Sequence, residues 1–422
     1  MPQADMPANS GTRRTARWIG AGLVFLLLWM LVAVLRGTYP FSAQPAPDKG
    51  SQHDKRPVTT HDYVGDEACN SCHQDKAGTY HQTAHAHTSS LPSKDSIHGS
   101  FSPGSNTLET TNPNLSFLME SSPEGFFQTA LVKSSPSVVN TRKARFDIVI
   151  GSGRKGQTYL YWDEDKLFQL PVTYWTELGE WMNSPGYIDG TANFERSIGP
   201  RCFECHASLF EPLVPPVPPF NRYNKTSVVL GISCERCHGP GREHVSRYRS
   251  ASPPRSGAGT AIINPARLSR DRQMDVCALC HGGLGKSLAP ALSYVAGDVL
   301  SHSISLPKLP ADAQVDVHGN QIELLKRSRC YQSSKTMTCT TCHDVHVPQR
   351  DPGAFAAQCL TCHQIESCRK FPALGHAIDR KCVDCHMPLQ ETSQIILSMN
   401  GKKVQPKVRN HQIGVYPDGL LP

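Results

Sequence analysis

Fourteen of the 16 cysteines in this chain occur in one pattern, Cys-x-x-Cys-His, which is repeated seven times. The pattern is typical of c-type haem attachment, because its two thiols bond the two vinyl groups of a porphyrin and the next residue, histidine, lies under the iron. The sequence therefore predicts seven covalently bound haems c, each with a proximal imidazole. The attachment cysteines and proximal histidines are Cys69, Cys72 and His73; Cys202, Cys205 and His206; Cys234, Cys237 and His238; Cys277, Cys280 and His281; Cys339, Cys342 and His343; Cys359, Cys362 and His363; and Cys382, Cys385 and His386.

Zinc is the main alternative, since paired Cys-x-x-Cys knuckles also build zinc ribbons. Zinc does not require a histidine directly after the second cysteine, however. With 19 histidines in 422 residues, seven such histidines by chance would have a probability on the order of one in a billion. The regular histidine therefore favours haem over zinc or disulfides.

The composition agrees with a fold built around cofactors. Hydrophobic residues are 38% of the chain and aromatic residues 7%, with 32 Gly and 33 Pro, so side chains alone supply a poor core and apolar porphyrins can fill it. We therefore expect a mainly α fold with much irregular structure, wrapped around stacked c-type haems. A small β-hairpin insertion near 140–175 is expected as well, because the glycine-rich run at 151–156 is followed by strand-like residues and not by the helix of a nucleotide site.

The N-terminal region has the features of a membrane anchor. Residues 18–35 carry no charge and follow Arg13, Arg14 and Arg17, and about 27 Å of helix nearly spans the hydrocarbon core of a bilayer. The basic flank predicts a cytoplasmic N-terminus at 1–17, a transmembrane signal anchor at 18–36, a flexible tether at 37–60 and a periplasmic heptahaem domain at 61–422. The expected location is the bacterial inner membrane, with a single pass. A cleaved signal peptide is the alternative.

Several stretches around the motifs resemble multihaem c-type cytochromes. They are YVGDEA at 63–68, TAHA at 83–86, CHGPGREH at 237–244, CHDVH at 342–346 and CHMP at 385–388. The superfamily so resembled includes the tetrahaem cytochrome of nitrifying bacteria and hydroxylamine oxidoreductase. The resemblance covers most of 61–415 and is specific for haem but not for one reaction. No Cys-x-x-Cys-Lys copy is present, which argues against an ammonia-forming nitrite reductase.

The resemblance implies a distal histidine on the second face of each iron. His346 lies three residues after His343, so the two cannot bind opposite faces of one macrocycle and His346 must serve a neighbouring haem. His244, six residues after His238, is expected to do the same. Seven candidates for seven irons predict bis-histidine ligation throughout, which suits electron transfer. The candidates are His85, His98, His244, His318, His346, His376 and His411.

These features favour an electron carrier over a catalyst, and no catalytic residue is assigned. We expect electrons to pass between a membrane donor, for which a quinol oxidoreductase is one candidate, and soluble or extracellular acceptors. The alternatives are an enzyme acting on a nitrogen or sulfur oxyanion at one open haem, and a structural subunit of a cytochrome complex or filament. The net charge of +7 is spread along the chain, which gives nucleic-acid binding little support. An oligomer, and a disulfide or two free thiols at Cys330 and Cys368, are left open.

Overall fold

The interval between the first two motifs contains an extensive β region. The computed structural model describes residues 59–135, 138–215, 217–252 and 261–416. Within those residues, 19 strands form five sheets. The prediction of a mainly α fold with only a small hairpin near 140–175 is therefore wrong. The physical reason is the alternation in runs such as 115–119, in which every second side chain is buried. This is the period of a strand, and the emphasis on the haem motifs overlooked it.

The strands are numbered in chain order. They are β1 Ser89–Ser90, β2 Thr107–Glu109, β3 Leu115–Ser122, β4 Gly125–Ser135, β5 Val138–Arg145, β6 Ile148–Ile150, β7 Gly156–Asp163, β8 Lys166–Gln169, β9 Val172–Trp175, β10 Glu180–Asn183, β11 Arg196–Ser197, β12 Ala207–Leu209, β13 Val229–Leu230, β14 Lys286–Ser287, β15 Ile304–Ser305, β16 Leu389–Glu391, β17 Leu397–Met399, β18 Lys402–Val404 and β19 Lys407–Arg409.

Two sheets account for most of the β structure. An antiparallel meander has the order β2-β3-β4-β5, and a nine-stranded sheet has the path β1-β6-β7-β9-β10-β17-β18, with β8 pairing to β7 and β11. Ser122 pairs with Gly125 across the tight β3–β4 turn, where Gly125 has φ +134, a backbone conformation that favours glycine. The pairing of β10 with β17 brings residues near the C-terminus into the sheet.

The helices are short. The described α-helices are Asp66–Asn70, Gln74–Tyr80, Pro200–His206, Cys234–His238, Arg242–Tyr248, Arg270–His281, Gln321–Lys326, Arg329–Ser333, Pro352–Cys359, Phe371–Leu374 and Cys382–His386. The 3-10 helices are Thr60–Asp62, Lys225–Ser227, Pro265–Arg267, Leu300–His302, Cys339–Thr341, Ile365–Ser367 and Gly375–Ile378. Six of the seven motifs begin inside or end an α-helix, and the fifth begins a 3-10 helix.

Aromatic cores hold the β region together and position the second motif. Phe146 and Tyr159 stack with ring centroids 4.2 Å apart inside the main core. A second core contains Phe203, which lies between the two cysteines of the second motif and packs on Phe210 and Tyr223. The strands therefore fix one haem-attachment helix directly.

A third core surrounds the later motifs. Met274, Ala278 and Leu279 are buried on the helix of the fourth motif, and Cys277, Cys280 and Cys339 pack against the same cluster. Side chains between the attachment cysteines thus form part of the hydrophobic core, while the cysteines line its edge.

No helix in the described part of the chain is long and apolar enough to cross a membrane. The predicted anchor at 18–36, the predicted cytoplasmic segment at 1–17 and nearly all of the predicted tether at 37–60 lie outside the described residues. The prediction of a single-pass inner-membrane protein with a periplasmic haem domain is corrected on this finding, and we withdraw it.

Candidate haem sites

One helical turn brings the three chemical groups of a motif to the same side of the backbone. The backbone N–H of the histidine donates to the carbonyl of the first cysteine at 3.0 Å in the first motif, 2.9 Å in the fifth and 3.0 Å in the sixth. Residues i, i+3 and i+4 share one helix face. Both thiols and the imidazole are therefore presented together to one planar ligand.

Four proximal imidazoles face a second imidazole from elsewhere in the chain. The ring centroids are 6.4 Å apart for His73 and His244, 6.2 Å for His281 and His85, 6.2 Å for His238 and His346, and 6.3 Å for His343 and His411. With metal–imidazole bonds of about 2 Å each and about 1.2 Å from nitrogen to ring centre, two ligands on opposite sides of a metal have centroids about 6.4 Å apart. The four pairs fit a haem iron between their rings.

Three of the pairs have nearly parallel rings and one is crossed. The interplanar angles are 21° for His73 and His244, 29° for His238 and His346, and 23° for His343 and His411. The pair at the fourth motif has an angle of 81°. The fourth motif therefore offers an iron a ligand arrangement unlike that of the other three.

Each second imidazole comes from the chain beyond another motif. His85 follows the first motif and faces the fourth, His244 follows the third and faces the first, and His346 follows the fifth and faces the third. His411 follows the seventh motif and faces the fifth. Haem ligation in this arrangement would tie distant segments together.

Backbone carbonyls set the orientation of several rings. The Nδ1 atom lies 2.8 Å from the Ile263 carbonyl in His238 and 2.7 Å from the Gly414 carbonyl in His386. In His411 it lies 3.1 Å from the Arg409 carbonyl. A carbonyl can only accept, so Nδ1–H donates and Nε2 is left with its lone pair, as a metal ligand requires.

Burial keeps two of the second imidazoles, those of His85 and His411, neutral. Burial, together with the neighbouring His281 and His343, lowers the pKa of His85 to about 4. Burial likewise lowers the pKa of His411 to about 4, against the opposing hydrogen bond to Arg409. Both rings are therefore unprotonated at neutral pH, which is the form that binds metal.

The remaining three proximal histidines have no second imidazole opposite them in the described part of the chain. Among the described residues, no second imidazole ring stands opposite His206, His363 or His386 at such a distance. His318 lies close enough to His206 for its charge to contribute, after burial, to a lowered pKa of His206. His318 has the same effect on His281, so it lies near the second and fourth motifs, and its assignment as an iron ligand stays a prediction.

The other two predicted distal ligands lie apart from the proximal rings. The exposed His98 packs its ring against Gly153. The contact is so close that a Cβ atom at position 153 would collide with the imidazole. His376 has a side chain that is 73% exposed, with Nδ1 3.1 Å from an Asp379 carboxylate oxygen and its ring against Phe371. Their assignment as iron ligands stays a prediction.

Thiols from different motifs meet in pairs. A hydrogen bond with Cys234 lowers the pKa of Cys69, and the Cys234 N–H donates to Asp66 Oδ1 at 3.0 Å. In the same way, a hydrogen bond with Cys280 comes first among the causes that lower the pKa of Cys205 to about 7. The first motif therefore adjoins the third, and the second adjoins the fourth.

The contacts continue through the later motifs. Cys277 of the fourth motif and Cys339 of the fifth form a third thiol pair, which lowers the pKa of Cys339. The helices Pro352–Cys359 and Cys382–His386 pack together. After burial, the charges of Cys382 and Cys342 raise the pKa of Cys359, so the sixth motif lies between the fifth and the seventh.

Cys330 and Cys368 are free thiols in the structure. The charge of Cys330 affects Cys342 and Cys359, whereas that of Cys368 affects Cys382 and Cys385. The two cysteines therefore accompany different haem motifs instead of pairing with each other.

A buried charged residue inside the third motif ties two motifs together, and it was not identified from the sequence. Glu235, between the cysteines of the third motif, accepts hydrogen bonds from the N–H groups of Val64 at 3.0 Å, Gly65 at 2.8 Å and Gly241 at 2.7 Å. It is only 3% exposed. The side chain ties the approach to the first motif onto the third, and a charged residue flanked by two attachment cysteines was the available signal.

Comparison with known proteins supports a c-type cytochrome. Residues 180–239, which include the second and third motifs, match the family model of cytochrome c554 and c-prime. A solved structure described as the outer cell wall cytochrome OcwA is similar at 19% identity, covering 83% of this chain and 79% of that chain with a TM-score of 0.49, a likeness too low to argue from. No curated protein matches. The match does not extend to the hydroxylamine oxidoreductase superfamily, which stays a resemblance.

Proposed function

We propose that the chain is a seven-haem electron carrier in which at least four irons, those of the first, third, fourth and fifth motifs, are held between two imidazoles. The observation that carries the proposal is the set of four histidine pairs with centroids 6.2–6.4 Å apart. An iron with two imidazole ligands has no free position for substrate, so it can exchange electrons with little ligand rearrangement.

The contacts between motifs support a continuous path for electrons. Thiol pairs join the first motif to the third, the second to the fourth and the fourth to the fifth. The charge of Cys237 also affects Cys277 and Cys280, which brings the third motif close to the fourth. Since each thiol is bonded to a porphyrin edge in the holoprotein, the proposed haems form one branched chain that meets at the fourth motif.

The exposed attachment cysteines suggest where redox partners would dock. Cys72 of the first motif, Cys202 of the second and Cys362 of the sixth are exposed, so haem edges attached there would lie near the surface. We propose that soluble or extracellular redox proteins exchange electrons at these edges. The donor and acceptor are defined here only by that chemistry.

A second candidate function is catalysis at one open iron. The observation that favours it is that His206, His363 and His386 lack an opposite imidazole within the described part of the chain. A small oxyanion of nitrogen or sulfur would bind such an iron directly and receive electrons from the other haems.

Two measurements on the purified holoprotein separate these functions. Denatured intact mass should exceed the polypeptide by seven haems, and fewer than six would refute the haem assignment. Low-temperature paramagnetic resonance should show low-spin ferric signals from the four paired sites. A high-spin signal that nitrite or hydroxylamine perturbs would favour the enzyme, whereas a wholly low-spin, unresponsive spectrum would favour the carrier.

A further inference from the structure

Arg236 is a buried cation without a carboxylate partner among the described residues. It lies between the two cysteines of the third motif and is 7% exposed. Its Nη2 donates to the Glu204 carbonyl at 3.1 Å, while its Nε has no hydrogen-bond partner. Within the described residues, no ion pair reaches its guanidinium, because its neighbour Glu235 is bonded instead to backbone N–H groups.

The guanidinium stands at the contact between the second and fourth motifs. The Glu204 carbonyl that accepts from Arg236 also lies 3.8 Å from Cys280 Sγ. On the other side of this contact, Arg201 Nη2 donates to the Leu279 carbonyl at 2.7 Å. Carbonyls of each motif thus meet groups of the other, and Arg236 binds the Glu204 carbonyl at this contact.

Arg236 and Arg201 differ in their charge balance. Arg201 is 3.4 Å from the Glu204 carboxylate, which is itself buried, so these two charges offset each other. Arg236 has no such compensation.

An isolated buried charge is costly unless it interacts with an opposite charge. Reduction of a haem adds one electron to the iron and so makes the haem more negative, and a nearby fixed cation stabilises that form. Arg236 contacts the second motif through the Glu204 carbonyl, and the same carbonyl lies 3.8 Å from the Cys280 thiol of the fourth motif. The unbalanced charge is therefore placed to act on the haems themselves.

We propose that Arg236 is a potential-setting residue, whose unpaired guanidinium raises the reduction potential of the haems bound at the second and fourth motifs. The proposal rests on the proposed electron-carrier function and adds a direction to it, since electrons would collect at the junction of the haem chain. At an effective dielectric constant of about 20, a unit charge about 10 Å away changes a one-electron equilibrium by about tenfold, which corresponds to about 59 mV.

The test is a spectroelectrochemical titration of the purified holoprotein, in which the electrode supplies one electron to each ferric iron. Arg236→Gln removes the charge with little change of size, and Arg236→Lys keeps the charge without the planar fork. Arg222→Gln is the matched control. Arg222 is a surface arginine whose side chain is 45% exposed and paired with Asp165, so solvent screens its charge.

We expect the glutamine variant to move the titration of about two haem equivalents to more negative potential, by about tenfold in the one-electron equilibrium. The lysine variant should retain most of the wild-type value and Arg222→Gln all of it. Unchanged potentials in Arg236→Gln with a full haem complement would overturn the proposal. Equal shifts in the lysine and glutamine variants, or loss of haem in both, would also overturn it, because packing and not charge would then be the cause.

The proposed electron-carrier function is tested by a different measurement, the number of haems in the wild-type protein. If the wild-type mass shows fewer than six haems, the haem assignment on which the carrier function rests is wrong whatever the variants do. If the wild-type protein has all seven haems and the potentials ignore Arg236, only the role of this residue is wrong.

Discussion

Removing His411 should open one iron and leave the others unchanged. The structure places its ring 6.3 Å from that of His343, and the surrounding backbone is held by groups other than the imidazole. Ser328 Oγ donates to the His411 carbonyl at 3.0 Å, and the Ile413 N–H donates to Ser328 Oγ at 2.7 Å. His411→Ala loses the Nδ1 hydrogen bond to Arg409, which contributes about 1 kcal/mol to folding.

The expected result follows from counting irons. His411→Ala should keep all seven haems, because every Cys-x-x-Cys-His motif is intact, and should convert the fifth haem from low spin to high spin. About one-seventh of the iron should change in low-temperature paramagnetic resonance, if all motifs carry haem. The readout is the integrated high-spin signal relative to that of the unmodified protein.

His302→Ala is the matched control. His302 is an exposed histidine that is not among the predicted ligands. We expect this variant to gain no high-spin signal. The reasoning would be refuted by an unchanged spectrum of His411→Ala, or by equal signals in the two variants.

Four further outcomes are expected. Alkylation of the denatured, unreduced holoprotein should add two labels, because 14 of the 16 cysteines are haem thioethers and Cys330 and Cys368 are free; no label would indicate a disulfide. The holoprotein should have an isoelectric point well below the sequence value of 8.6. The two propionates of each haem would take the formal net charge from +7 to about zero in the oxidised protein, so an isoelectric point that stays near 8.6 would contradict the prediction. Glu235→Gln should lower the free energy of unfolding by about 1–3 kcal/mol in chemical denaturation, because it weakens bonds to three backbone N–H groups, whereas the exposed Glu243→Gln should change it little. Burial raises the pKa of Asp316, but hydrogen bonds from Thr392, His318 and Ser393 lower it overall. The ionised carboxylate therefore stabilises the fold above the unfolded-state pKa, and this contribution is lost as pH falls through the folded-state pKa. Asp316→Asn should destabilise the protein at neutral pH and less in acid, and an effect independent of pH would exclude these hydrogen bonds to the carboxylate as the cause.

The haem-attachment sites could be predicted from the sequence because each one depends only on residues that are close together in the chain. Two cysteines and a histidine within one helical turn define an attachment site without any knowledge of the fold. The argument that His346 cannot share a haem with His343 also depends only on chain geometry, and the structure places His346 opposite His238. Which of the other histidines meet depends on long-range packing, so His98 and His376 were not distinguished from His85 and His411.

The β region was not predicted because the period-2 pattern of its strands was overlooked. In β3, Leu115, Phe117 and Met119 alternate with partly exposed residues, and this period is a clear strand signal. The expected fold instead extended the helical character of the motifs to the whole chain. Sites such as Glu235 and Arg236 were missed because a charged side chain is buried only when a distant segment supplies its partners, here Val64, Gly65 and Glu204.

The histidine pairs and the charged residues within the motifs have one physical consequence in common. Each paired iron would join two segments that are far apart in sequence, as His411 and His343 show, and Glu235 makes a comparable tie between the first and third motifs without any metal. A ligand that binds the folded chain and not the unfolded one contributes its binding energy to stability. The haems of this chain should therefore act as structural crosslinks as well as redox centres, so that loss of one distal imidazole weakens a long-range tie at the same time as it opens an iron.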